Sequence, residues 1–117
     1  MINKQIDEVA TWKNVDEFFK NEFQKVVILA KSPSAQGYKL AIEKVGCINS
    51  ILNRMPKDER TVIYYAYFKN MKPRDSCMSL GISDTTFFRR KRTGLVLFAE
   101  LYPYKRLTVY KVKVSEK

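Results

Sequence analysis

Histidine is absent from this sequence, and cysteine occurs only as Cys47 and Cys77. Without an imidazole there is no His-based catalytic dyad, and two thiols cannot close a tetrahedral zinc site unless carboxylates help. The pair reads as two small buried thiols in a reducing compartment rather than as a disulfide. Carboxylates are scarce where metal chemistry would need them. Asp75 and Asp84 stand isolated among cations, and Asp58 with Glu59 sits at a helix start. No catalytic residue, metal or cofactor is expected, and an enzyme such as a nuclease is not the reading these residues favour. Long apolar runs are missing too. The longest is "VVILA", far below the ~20 residues that span a bilayer. The opening "MINKQIDEVATWKNVDEFF" is polar and acidic throughout, unlike a secretory leader. A soluble, intracellular protein with no membrane partner is the expectation.

What is present is positive charge, unevenly placed. The net charge is +10. Residues 1–31 hold five cations and five anions, residues 32–70 hold six and three, and residues 71–117 hold eleven and four. A basic excess gathered in one third of a chain marks a surface for a polyanion, either nucleic acid or an anionic membrane. A membrane-surface role fits poorly, because the most basic helix carries threonine and arginine and has no broad lipid-facing side.

Four glycines and four prolines punctuate the sequence. In "NVDEFFKNEFQKVVILAK", Val15, Phe18, Phe19, Phe23, Val26, Val27 and Ala30 recur at helical spacing, with Asn14 and Glu17 as an expected capping box. That apolar face serves equally well as monomer core or as the seam of a homodimer. Ser32 and Pro33 are the expected cap and first turn of a second helix, which keeps helical spacing from Tyr38 to about Arg54. Gly46 within it weakens the helix and suggests close packing. Pro56 restarts the pattern in "MPKDERTVIYYAYFKN", where Asp58 and Glu59 complement the helix dipole and Asn70 marks a stop.

"KPRDSCMSLGIS" then supplies a short helix opened by Pro73 and closed by Gly81, with Cys77, Met78 and Leu80 as its expected buried contacts, Ile82 folding back and Ser83 capping the next helix. A short helix, a glycine turn and a new helix within about twenty residues form the grammar of a helix-turn-helix. The last helix is expected from Asp84 to about Tyr102, stopped by Pro103. Beyond it, Thr108, Tyr110, Val112 and Val114 alternate like a strand, with no partner strand visible elsewhere in the sequence.

On the last helix, Phe87, Gly94, Leu95 and Phe98 share one side, with Arg90 or Lys91 between them. Asp84, Thr85, Phe88, Arg89 and Arg92 share another. An outward phenylalanine flanked by threonine and arginine matches the needs of major-groove reading. Arginine can bond guanine O6 and N7, and Phe or Thr can touch the thymine methyl. Thr85, Thr86, Phe88, Arg89 and Arg92 are therefore the expected base-facing set, and Lys72, Arg74 and Lys91 the expected phosphate-facing set. Arg90 lies where such domains place an aliphatic residue, so its stem is expected to pack while its head reaches water.

The ordered string "MPKDERTVIYYAYFKNMKPRDSCMSLGISDTTFFRRKRTGLVLFAELY" resembles the ArpU family of phage and mobile-element transcriptional regulators, which includes the RinA-type late-gene activators. It is also similar to region 4 of sigma-70-type factors. The resemblance covers about residues 40 to 102. It departs from the pattern at Ser76 and Cys77, where an Ile-Ala pair is usual, and at Gly94, where alanine is common. The resemblance implies an all-α domain with a sigma-region-4-like helix-turn-helix that binds double-stranded DNA near promoters and activates late genes in a bacterial cytoplasm. It reaches neither the N-terminal helix nor the C-terminal arm, so it carries over no partner or oligomeric state. RNA polymerase, in a sigma-like role, and a second copy of the chain stand as open alternatives. A sigma-like polymerase subunit and a small terminase-like packaging subunit are the alternative roles. The expected organisation is an N-terminal helical region (1–54), the helix-turn-helix region (55–102) and a basic C-terminal arm (103–117), extended or strand-like.

Overall fold

A computed structural model describes residues 5–111. The described chain is mostly helical. Helices α1 (Glu8–Glu17) and α2 (Phe23–Ala30) are joined by a π-helical turn, Phe18–Glu22, so that they run on as one segment. Then come α3 (Tyr38–Arg54) and α4 (Lys57–Ile63), the latter continued by a second π-helical turn, Tyr64–Phe68. α5 (Pro73–Leu80) and α6 (Asp84–Leu101) complete the set. α6 packs on α1 and α4, and α2 pairs with α3.

Several helix ends follow from local chemistry as expected. Gly81 adopts φ 67°, and the Ile82 amide folds back to the Cys77 carbonyl at 3.1 Å, the bond of a Schellman cap. Ser83 Oγ accepts from the Thr86 amide at 3.1 Å and opens α6. Asn70 ends the α4 segment with φ 54°. Two expected starts are corrected. The first helix begins at Glu8, capped by Asp7, whose carboxylate accepts from the Ala10 amide at 3.0 Å. Asn14 lies inside α1 and instead donates to the Leu107 carbonyl at 3.1 Å. Ser32 and Pro33 lie in a turn rather than a helix, and α3 starts only after Gly37 has reversed the chain at φ 89°.

The main core unites distant parts of the chain. Val15, Phe18, Phe19 and Phe23 meet Ile48 and Ile51 of α3, Ile63 and Tyr67 of the α4 segment, and Leu95 and Phe98 of α6. The N-terminal phenylalanines are thus buried within the monomer, and the choice between core and dimer seam falls to the core. Phe19 stacks on Tyr67 at 4.9 Å and touches Phe98 at the same distance. Each fully buried side chain of this size contributes about 1.5–3 kcal/mol. A second, smaller cluster of Val62, Cys77 and Phe87, with Leu80 and Ile82 against it, ties α5 to α4 and α6.

The extended segment after α6 does find a partner, contrary to the expectation. Tyr110 forms an isolated antiparallel bridge with Ile6, and the Asp7 and Lys111 amides donate to Val109 and Gln5 carbonyls at 2.8 Å. Thr11 Oγ1 both receives the Val109 amide and donates to its carbonyl, and Leu107 is buried beneath. Val112 and Val114, the rest of the alternating pattern, lie outside the described residues.

Candidate nucleic-acid interface

The two faces of α6 separate. Phe87, Gly94, Leu95, Phe98 and Ala99 are buried, while Asp84, Thr85, Phe88, Arg89 and Arg92 are exposed. Among the described residues neither arginine has a carboxylate within 4 Å, nor do Lys72 and Arg74 at the start of α5. Arg89 and Arg92 border a groove of about 310 Å³ whose opposite wall is Glu8, Val9 and Trp12 of α1. α1 therefore flanks the cationic face without covering it. Phe88 is 37% exposed and set edge-to-face against buried Phe87, with ring centres 5.3 Å apart. Thr86 is half-buried, and its hydroxyl accepts from Ser83 Oγ at 3.1 Å, which makes it part of the cap.

Lys91 is the member that the structure moves elsewhere. Its side chain is only 17% exposed, with the ammonium 3.9 Å from the Asp16 carboxylate and 5.2 Å from the centre of the Tyr67 ring. Lys91 thus joins α6 to α1 and the α4 segment, and it is removed from the phosphate-facing set. Burial lowers its pKa, although Asp16 opposes the shift. Asp16 also accepts from the Tyr67 hydroxyl and pairs with Lys20 at 2.9 Å. Burial alone would raise the Asp16 carboxyl, but the hydrogen bonds from Tyr67 and Lys20 and the Lys91 charge hold it below its ordinary value. Arg90 behaves as its position requires. Its side chain is 27% exposed, and its guanidinium reaches Asp58 at 3.6 Å.

Met78, expected among the buried contacts of α5, is corrected to a surface residue, and one further feature had no sequence signal. Met78 projects from α5 at 74% exposure and, with Phe88, borders a shallow basin between α5 and α6. Neighbours on a helix point about 100° apart, so with Cys77 in the core Met78 is turned outward. The other is a cavity of about 670 Å³ between α2, α3 and the α4 segment, floored by Phe23, Leu52 and Phe68. Arg60 stands at its edge and donates to the Asn53 carbonyl at 3.4 Å. It is assembled from three consecutive helical segments, and how those segments pack on one another is not written in any local pattern. Among the described residues no group of three or more Cys, Asp and Glu side chains is placed to hold a metal ion, and no helix is long and apolar enough to cross a membrane.

A family model described as "Protein of unknown function (DUF1492)" matches residues 20–97, two thirds of the chain. The chain belongs to DUF1492. The DUF1492 match runs from the first π-helical turn through most of α6, so it includes α5, the glycine turn and the cationic face. No curated protein and no solved structure matches the chain.

Proposed function

We propose that this DUF1492 chain is a sequence-specific double-stranded DNA-binding transcriptional regulator, with α5, the turn at Gly81–Ser83 and α6 acting as a sigma-region-4-like helix-turn-helix. The observation that carries the reading is the outer face of α6, whose Arg89 and Arg92 have no carboxylate within 4 Å among the described residues. Thr85, Phe88, Arg89 and Arg92 are exposed together on a helix whose opposite side is locked into the core. A rigid helix with wet arginines near its N-terminus suits the major groove, about 12 Å wide, while Lys72 and Arg74 at the head of α5 suit phosphates. The resemblance to ArpU-type regulators supports activation of phage or mobile-element late genes as the biological setting. No catalytic role is assigned.

Selection of bound sites from random duplex DNA, with stoichiometry measured on the enriched site, tests the proposal. A defined site should emerge, and if two copies bind, half-sites should lie about 10 bp or a multiple apart. Affinity should fall with salt at a log–log slope of about −3.6 for about four neutralised phosphates. Arg89→Ala should cost about 1–3 kcal/mol and relax preference at one base pair, whereas Lys72→Ala should weaken all sequences alike. Equal loss at Arg89 on selected and random DNA would refute the base-reading role, and no enrichment of any duplex would refute the function.

A further inference from the structure

We propose that Met78 and Phe88 together read the C5-methyl group of a thymine in the bound duplex. The inference rests on the DNA-binding reading above and gives it a chemical target. Met78 on α5 and Phe88 on α6 are 74% and 37% exposed, and both border the basin between the two helices, with Pro73, Cys77 and Ile82 adding apolar wall and the Asp84 carboxylate at the head of α6 also on its lining. Isolated surface apolar residues need no explanation, but these two share one concavity on the face that also holds Arg89 and Arg92. Arg74 lies in the same basin wall, and neither it nor Lys72 has a carboxylate within 4 Å among the described residues. A polyanion drawn to those cations would press its base edges onto the apolar pair.

The pair is also suited to a small apolar knob. Contact with Phe87 at 84° between ring planes holds the Phe88 ring in place, so one wall is preorganised. Met78 supplies a flexible thioether that adapts to the other side. The apolar group that duplex DNA offers in its major groove is the thymine C5-methyl, which cytosine lacks. Double-stranded RNA offers neither that methyl nor a major groove that side chains can enter. The chemistry therefore selects a thymine-bearing DNA duplex as occupant.

Replacing thymines of the selected site one at a time by deoxyuridine removes the methyl and keeps every hydrogen bond. One or two positions should then lose about fourfold in affinity, the factor matching ~0.8 kcal/mol per buried methyl-sized group. In Phe88→Ala the thymine-to-uracil ratio at those positions should fall to about one, and Met78→Ser should reduce it. Each ratio compares two duplexes on one protein sample, so a partial loss of folded protein cancels. Met78 is exposed enough for its variant to fold if Phe88→Ala does not. A defined site with no thymine–uracil discrimination would overturn the inference while leaving the DNA-binding reading intact. So would a discrimination that neither variant changes, or variants that disturb only a protein partner. Failure to select any site would instead remove the reading on which the inference rests.

Discussion

Gly46 and Gly94 both stand inside helices, yet their surroundings differ. A Cβ added at Gly46 of α3 would meet nothing within 4 Å, so the expected close packing at this glycine is not found. At Gly94 of α6 an added Cβ would come within 2.6 Å of Ile63 Cδ1 and 3.3 Å of Glu59 Cβ. Ile63 is fully buried, so its δ-methyl would have to shift within the packed core, and a side chain larger than alanine adds to that crowding. Gly46→Ala should therefore raise stability by about 0.5–1 kcal/mol through helix propensity alone. Gly94→Val should lower it by about 1–3 kcal/mol through overpacking. Urea denaturation of the two variants beside the parent checks both signs. In sequence the two glycines look alike, because the atoms that tell them apart belong to α4.

The two π-helical turns set the geometry that joins elements. Phe18 and Phe19 are adjacent, and both bury: Phe18 meets Tyr102 at 5.0 Å, while Phe19 stacks on Tyr67, which belongs to the second π-helical turn. Uniform 3.6-residue spacing turns neighbours 100° apart, so the widened turn broadens the buried face. Tyr67 is then positioned to donate to Asp16, with Lys91 over its ring. This cluster couples α1 to the helix that carries the cationic face. Because the folded carboxyl of Asp16 lies below its usual 3.8, its contribution is complete above that value and is lost as pH falls through the lowered folded value. The stability gap between the parent and Asp16→Asn should be constant at neutral pH and narrow below about pH 4, which denaturant titrations across pH will show. A gap that stayed level to pH 2 would contradict the assignment.

At the scale of the molecule, dimensions of 57 × 40 × 22 Å describe a slab about two helix diameters thick. A slab this thin leaves outer helix faces wet, and the segment from Pro103 to Lys111 helps to close the assembly by running antiparallel along α1 and the residues before it. Leu107 is buried there, held by bonds from Asn14 and by neighbours bonded to Thr11. Leu107→Ala should destabilise the whole fold by about 2–5 kcal/mol, the range for a buried leucine truncated in a core. A single cooperative unfolding transition shifted to lower denaturant is the expected result. An unchanged midpoint would show that the segment is dispensable.

The amino-acid order is enough to set the helical class, the ends of α5 and α6 at Gly81, Ser83 and Pro103, and the division of α6 into an apolar and a cationic side. Those features depend on neighbours within a turn or two, where capping chemistry and 3.6-residue periodicity act. Other features arise only once the helices pack: Lys91 turns inward to Asp16, Asn14 binds Leu107 rather than capping a helix, Gly94 makes room for Ile63, and Tyr110 pairs with Ile6. Each of these joins residues at least 31 positions apart. A contact between such partners follows from how the helices pack, and local sequence pattern carries no record of it.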